Sequence, residues 1–282
     1  MILRKMNGIQ SPRICLSIVL FHTSQEDINN IFKSFEYIKT DFQVFIVDSS
    51  STNSLESNFI DKENYTYLHN PSNPGFGASH NIAFKMAIEQ GYEFHFVVNP
   101  DVYFEEDVVT PMVDYMAKDI SIGMMMPQIL NFDGSSQGLP KLLPSPFSIV
   151  FRKISKPSFL FDKYITKYEL TNVPSDSVYN APILSGCFTL FRVKHLKEIG
   201  LYDDRFFMYF EDWDISRRMH EKYKTLYWPK VSVYHRYESG ANKNKKLFKV
   251  FINSALTYFS KWGWFVDRRR NEINKRTLEQ FK

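Results

Sequence analysis

The sequence predicts an α/β chain: a Rossmann-like, mixed but mostly parallel sheet flanked by helices, followed by a basic amphipathic helical tail. Three observations carry this expectation. Apolar runs of strand length alternate with segments whose apolar residues recur at helical spacing, the signature of βαβ units. One of those runs ends in Asp48 and another leads through Asn99-Pro100 to Asp101, and ligands of open α/β sheets gather at the carboxyl ends of strands. The charge is also uneven. Residues 243–282 hold 11 Lys and Arg against 3 Asp and Glu, so a net charge of +4 for the whole chain conceals a tail at +8.

The elements follow in order. Ile14 to Phe21 is a continuous apolar run and reads as a buried strand. Ser24 to Ile38 carries Ile28, Ile31, Phe32, Phe35 and Ile38 at helical spacing, with Ser24 as N-cap. Phe42 to Val47 is the second strand, ending in Asp48 and a Ser/Thr/Asn-rich loop, and Asn64 to His69 is a short third strand. A helix is predicted from Ala78 to Glu89, stopped by Gly91, and the fourth strand is Phe94 to Val98. Residues 131–180 break the pattern, punctuated by Pro140, Pro144, Pro146, Pro157 and Pro174; a loop this long in a compact domain is expected to be functional. The alternation resumes with a strand from Ile183 to Arg192, a short helix to Gly200, a helix opening at Glu211, and a strand from Thr225 to His235 interrupted by Pro229. The last forty residues read as helical, which gives a main domain over 1–240 and a C-terminal segment over 241–282.

Composition sets bounds. An apolar content of 44% and a charged content of 23% are ordinary for a globular chain of 282 residues. Aromatic content is high at 16%, which suits a bulky core and equally a sugar-binding or interfacial surface. Cys15 and Cys187 sit inside apolar runs, the profile of reduced, buried thiols. No apolar run reaches the ~18 residues of a spanning helix, and Met1-Ile2-Leu3-Arg4-Lys5 lacks a signal peptide's apolar core and cleavage site. Membrane contact is therefore expected to be peripheral, through 243–282, where Trp262, Trp264 and Phe265 stand beside Lys and Arg as in helices lying on anionic lipid. The tail carries no helix-turn-helix, zinc or RNA-recognition signature, so nucleic acid is not an expected partner.

Asp101 is the first candidate for chemistry, because hard divalent cations prefer carboxylate oxygen and Mg²⁺ takes one or two carboxylates plus substrate phosphates. An Asn99-Pro100-Asp101 turn also stands without a metal. Asp48 occupies the position where nucleotide folds place a ribose- or base-binding acid, and an Asx-turn explains it equally. Gly75-Phe76-Gly77 fails the dinucleotide fingerprint, since His80 replaces the third glycine; the glycines then allow close approach to a ligand or start the helix, with Asn81 one turn inside. Glu211 and Asp212 open a helix, where the dipole favours acids by about 0.3–1 kcal/mol. The preceding run Phe206 to Phe210 packs a carboxylate beside apolar groups, which raises its pKa toward general-base use. Asp214 and Arg218, spaced i, i+4, read as an ordinary surface pair. His235 reads as a core histidine unless the carboxylates join it. One carboxylate with an imidazole to hold a divalent cation, and a second to accept a proton, suits transfer of a group away from a diphosphate.

The ordered set Val47-Asp48-Ser49-Ser50-Ser51, Asn73-Pro74-Gly75-Phe76-Gly77-Ala78-Ser79-His80-Asn81, Asn99-Pro100-Asp101, Ser185-Gly186-Cys187, Glu211-Asp212 and His235 resembles an inverting family-2 glycosyltransferase of the GT-A fold, from about Ile14 to the C-terminus. Within it the chain is most similar to the bacterial rhamnosyltransferase-like branch of O-antigen and polysaccharide assembly, as is the tail stretch Ser254 to Phe265. The resemblance implies that Asp48 contacts the donor's base, that Gly75, Gly77, Asn81 and Gly186 lie along the donor, and that Asp101 and His235 hold Mg²⁺ or Mn²⁺. It implies Asp212, beside Glu211, as catalytic base, and a ribose contact for Asn99, which stands where the metal motif has its first acid. The implied donor is dTDP-L-rhamnose, with a UDP-hexose as alternative. The implied acceptor is a lipid-linked oligosaccharide of O-antigen or capsule synthesis, reached from the cytoplasmic face of the membrane with residues 131–180 as an acceptor-side lid. Asn99 also supports a rival reading, a non-catalytic sugar-nucleotide-binding or scaffold protein.

Overall fold

The computed structural model describes residues 13–153, 162–236 and 244–282. Met1 to Lys5 and the 240/241 boundary fall outside them. The first half of the sheet is parallel in the order β3-β2-β1-β4, with β1 (Ile14–Leu20), β2 (Phe42–Asp48), β3 (Tyr65–His69) and β4 (Phe94–Val98). Helix α1 (Gln25–Phe35) connects β1 to β2, and α2 (Phe76–Glu89) connects β3 to β4. β4 is buried along its whole length, as a strand covered on both faces must be. Ser24 caps α1 by accepting from Asp27 N, and Ile28, Ile31 and Phe35 form its buried stripe. Because β1 lies between β2 and β4, the chain leaves it on both sides and opens a crevice at the carboxyl edge. Leu20 pairs with Asp48 and Ile18 with Val98, so Asp48 and the Asn99–Asp101 turn both emerge at that edge.

The second half is mixed. After the two-residue strand β5 (Val102–Tyr103) come α3 (Val109–Ala117) and β6 (Ile122–Leu130). The Pro-rich stretch holds α4 (Pro146–Lys153), α5 (Asp162–Tyr168) and β7 (Tyr179–Asn180). Then follow β8 (Phe188–Arg192), α6 (Val193–Ile199), α7 (Glu211–His220) and β9 (Lys224–His235). β8 runs antiparallel between β4 and β6, and β9 runs parallel to β6 and antiparallel to β5 and β7. The interruption expected at Pro229 is a bulge: Met126 pairs with Tyr227 and Gln128 with Ser232, leaving 228–231 outside the ladder. The strand expected from Ile183 begins only at Phe188. Residues 184–187 instead turn their backbone toward α7, with Leu184 N on Ser216 Oγ and Gly186 N on Asp212.

Helices α8 (Lys245–Trp262) and α9 (Arg268–Glu279) pack on α7 and the 142–145 segment. The buried residues Ala255, Tyr258 and Phe259 of α8 join Phe206 and Phe210 in one cluster. Asp214 corrects the expectation of a surface pair: it is fully buried, accepting from Arg218 Nε at 2.8 Å, Trp262 Nε1 at 2.9 Å and Lys261 Nζ at 2.7 Å. Two side-chain amides on α9 and just past its end pair with backbone as strands do. Asn274 bonds both polar groups of Leu143, and Gln280 bonds both of Asn180. Among the described residues no helix is long and apolar enough to cross a membrane, and Cys15 and Cys187 are buried free thiols.

The strongest tie between α9 and the sheet domain is a buried fork. Arg217 Nη1 and Nη2 donate to Asp267 at 2.7 and 3.0 Å, and the guanidinium lies 4.1 Å over the Trp262 ring. Asp267 also caps α9 through Arg270 N. Asp267→Ala is therefore expected to cost about 3 kcal/mol, because it leaves the buried Arg217 guanidinium with only the longer Glu221 contact, at 3.6 Å, as its carboxylate partner; the check is a lowered urea midpoint at unchanged slope.

Candidate active site

The Asn99–Asp101 turn is closed by Val102 N donating to Asn99 O, after which β5 pairs with the last residues of β9. Val102 stands opposite His235, and Arg236 N donates to Asp101 O. This register brings His235 Nε2 to 3.4 Å from Asp101 Oδ1. Asn99 Nδ2 approaches the same nitrogen at 3.4 Å, while Asn99 Oδ1 is buried without a hydrogen-bond partner among the described residues.

Gln137 fixes the other side of the imidazole. Its Nε2 donates to the carbonyls of His235 at 2.7 Å and Leu130 at 3.3 Å, so its Oε1 is the atom 3.2 Å from His235 Nδ1. Nδ1 then donates to Gln137, which leaves Nε2 as the nitrogen that faces Asp101 and Asn99. A carboxylate oxygen, an imidazole lone pair and an orphaned amide oxygen together form an acceptor-rich set that fits a divalent cation and a sugar hydroxyl. Among the described residues no cluster of three His, Cys, Asp or Glu exists, so phosphate oxygens and water would have to complete the shell.

The second carboxylate cluster is set by backbone strain. Tyr209 and Phe210 both take left-handed φ values, 70° and 68°, immediately before α7 opens. Asp212 Oδ2 accepts from Gly186 N at 3.3 Å, and Oδ1 accepts from Trp213 N at 2.9 Å. Burial pushes the Asp212 carboxyl up to about 6, against the pull of those N–H groups. Burial, and then the Asp212 charge, push Glu211 well above the usual carboxylate range, and its Oε2 has no hydrogen-bond partner among the described residues. A Cβ on Gly186 would stand 3.4 Å from Asp212 Cβ and 3.5 Å from the Phe76 ring, so the glycine lets the loop lie flat against the start of α7.

The 185–187 segment is the wall shared by both clusters. Cys187 O accepts from Asn99 N at 2.8 Å, and Gly186 N donates to Asp212. The Cys187 thiol is pushed up to about 12, chiefly by burial and further by the charges of both Asp101 and Asp212. Asp48 lies farther along the carboxyl edge, at the end of β2: it is fully buried, with Oδ1 accepting from Ser50 N at 2.9 Å and Oδ2 from Tyr67 OH at 2.7 Å. Ser50 Oγ in turn accepts from His22 N, which joins the loops after β1 and β2.

Gly75, Gly77 and Asn81 meet the protein itself. Gly75 sits at φ +104° where a Cβ would collide with the Phe207 carbonyl, and Phe76 N donates to that oxygen at 2.9 Å. A Cβ on Gly77 would fall 2.8 Å from Tyr202 Cβ. Asn81 donates to Tyr202 O and Asp204 Oδ1 and accepts from Tyr202 N. These three residues brace the 202–207 segment that leads into Phe210 and Asp212. Sequence reasoning did not single out Gln137 or Tyr202. Nothing in a Ser- and Pro-rich stretch distinguishes Gln137, and only its place beside His235 does.

The sequence profile of glycosyl transferase family 2 matches residues 18–200. The chain is 25% identical over 205 residues to an N-acetylglucosaminyl-diphospho-decaprenol L-rhamnosyltransferase of Mycobacterium tuberculosis, covering 68% of this chain and 66% of that one. It is 24% identical over 204 residues to a low-salt glycan biosynthesis hexosyltransferase of Haloferax volcanii, covering 71% and 60%. The matched region thus spans 60–66% of these relatives' length, less than two thirds. In fold it is similar to GalNAc-T7 crystallised with UDP, GalNAc and Mn²⁺, at a TM-score of 0.62 and 16% identity over 80% of this chain and 43% of that one. With the family profile covering more than half of its length, on a GT-A sheet, the chain belongs to glycosyl transferase family 2.

Proposed function

We propose that the chain is an inverting, nucleotide-sugar-dependent glycosyltransferase that moves L-rhamnose from dTDP-L-rhamnose onto a lipid-linked oligosaccharide in surface polysaccharide synthesis. The observation that carries this reading is the placement of the Asp101–His235 pair and of Asp212 against one shared segment, 185–187. The Mycobacterium relative, whose name specifies rhamnosyl transfer to a diphospho-lipid, supports the donor and the acceptor class. The UDP bound to GalNAc-T7 favours the alternative of a UDP-hexose donor.

In this reading Asp101 Oδ1 and His235 Nε2 would hold Mg²⁺ or Mn²⁺, Asn99 Oδ1 takes a ribose hydroxyl, and the buried Asp48 serves base recognition by fixing the Ser50 loop and Tyr67 at the donor's base. The cation, when bound, neutralises charge on the leaving nucleoside diphosphate. Asp212 accepts the acceptor hydroxyl proton as that oxygen bonds to the anomeric carbon from the face opposite the diphosphate; the sugar–diphosphate bond breaks and the configuration inverts. Burial and the neighbouring Asp212 charge both disfavour ionised Glu211, which leaves Asp212 as the proton acceptor of the pair. The tail rests on the cytoplasmic leaflet through the outer face of α8, where exposed Phe248, Ile252 and Leu256 stand beside Lys245 and Lys249.

Asp212→Asn is expected to lower kcat by about 10²–10⁴ while nucleotide-sugar binding, read by thermal shift across a donor panel, persists; near-normal turnover rejects the assignment. Wild-type kcat/KM should fall as pH drops below about 6, where Asp212 protonates. Burial raises this pKa above its unfolded value, so its contribution to stability is complete in acid and lost as pH rises through about 6. The Asn variant should therefore melt at least as high as wild type at alkaline pH and lose that advantage in acid. Gln137→Ala frees the imidazole and should weaken activation by Mn²⁺ about 10–100-fold, measured as the half-saturating metal concentration; an unchanged titration removes His235 from the metal site.

A further inference from the structure

A cavity of about 500 Å³, apart from the Asp101 and Asp212 clusters, lies where α9 crosses the 142–145 segment and α5, a size typical of small-molecule sites. Lys167, Arg270, Lys275 and Lys282 line it, and among the described residues no Asp or Glu does. Arg270 is 5% exposed, and its guanidinium donates to the backbone carbonyls of Pro144, Trp264 and Phe265 at 3.1–3.4 Å. Its charge is thus fixed in place by neutral acceptors. Lys275 makes a surface contact with Glu279 at 4.0 Å. The result is a cationic cavity built around a buried arginine.

An apolar rim adjoins it. Two of the three carbonyls that hold Arg270 belong to the tip 264–266, which turns on Gly263 at φ +99° and is anchored beyond by the Asp267 cap. The tip's backbone is pinned, yet Phe265 is 67% and Val266 83% exposed, and Trp264 is exposed as well. Phe147 on α4, two residues from the cavity-lining Ser145, is exposed with its ring 5.9 Å from that of Phe265. Exposed aromatic rings beside a cluster of cations form the layout of a surface that takes a lipid and its phosphate together.

We propose that this cavity binds the diphosphate of a membrane lipid, whose hydrocarbon chain lies along Phe147, Phe265 and Val266. The inference rests on the lipid-linked acceptor reading and locates the acceptor's anchor at a site separate from the donor's diphosphate. The placement suits that role. Leu143 and Ile273 beside the cavity pack with Ile183 and with Trp213, the residue after Asp212, so one hydrophobic cluster joins the cavity wall to the start of α7. A diphosphate, more highly charged than a phosphodiester headgroup, matches the convergence of cations.

The test is sedimentation of the full chain with phosphatidylcholine vesicles, plain, doped with farnesyl diphosphate, or doped with phosphatidylglycerol, in EDTA so that a metal-dependent donor site contributes nothing. Binding is expected to favour the diphosphate vesicles and to be competed by inorganic pyrophosphate. Lys167→Glu with Lys275→Glu should weaken it about tenfold or more, and Phe265→Ser with Val266→Ser should weaken binding to every vesicle. All four residues are exposed, so melting temperature should not move. Equal binding to phosphatidylglycerol, an unaffected charge-reversed variant, or no binding to diphosphate vesicles overturns the site. Donor hydrolysis without acceptor is read in the same variants: its survival alongside lost lipid binding fits two separate sites, its loss argues against them, and its absence in wild type counts against the transferase reading alone.

Discussion

Three carboxylates stand in the first turn of α7, and the protein pairs only one of them with cations. Asp214 receives Arg218 from its own helix and Lys261 and Trp262 from α8, which makes its burial tolerable. Glu211 and Asp212 receive backbone N–H groups at most, so desolvation dominates and both carboxyls are shifted upward. Identical chemistry on one helical turn is thereby divided into an anchor and a reactive pair. The division depends on α8 being seated, since two of the three partners of Asp214 come from it. The basic tail is thus part of the scaffold that shapes the acidic cluster, whatever else its outer face touches.

Much of this arrangement is legible in the chain, and what is not has physical reasons. The parallel half of the sheet follows from uninterrupted apolar runs, and the runs deliver Asp48 and Asp101 to one edge because a doubly wound sheet has only one carboxyl edge. Periodicity carries no information about partners, so nothing in the Phe188–Arg192 run says that it inserts antiparallel beside β4. The same holds for Val102, whose pairing with His235 decides the distance between the histidine and Asp101. Asp214 reads as a surface residue because its i+4 arginine is visible in the sequence and its partners 47 and 48 positions later are not.

Gly75, Gly77 and Asn81 show a subtler gap. Small residues at a helix start signal close approach, but a sequence does not say what approaches. Here it is the 202–207 segment, whose Phe207 carbonyl and Tyr202 ring occupy the space that side chains would fill. The brace matters because the next residues, Tyr209 and Phe210, sit in left-handed conformations that L side chains adopt only when the surroundings impose them.

One detail at the far end of the molecule bears on solubility. β7 is two residues long and hydrogen-bonds to β9, and the N–H and C=O of its Asn180 are both taken by the amide of Gln280. A glutamine side chain thus imitates one rung of a ladder and then stops, since it has no continuing backbone to offer. The short strand presents no template on which another chain could extend the sheet, and the molecule is guarded against self-association there by a single amide.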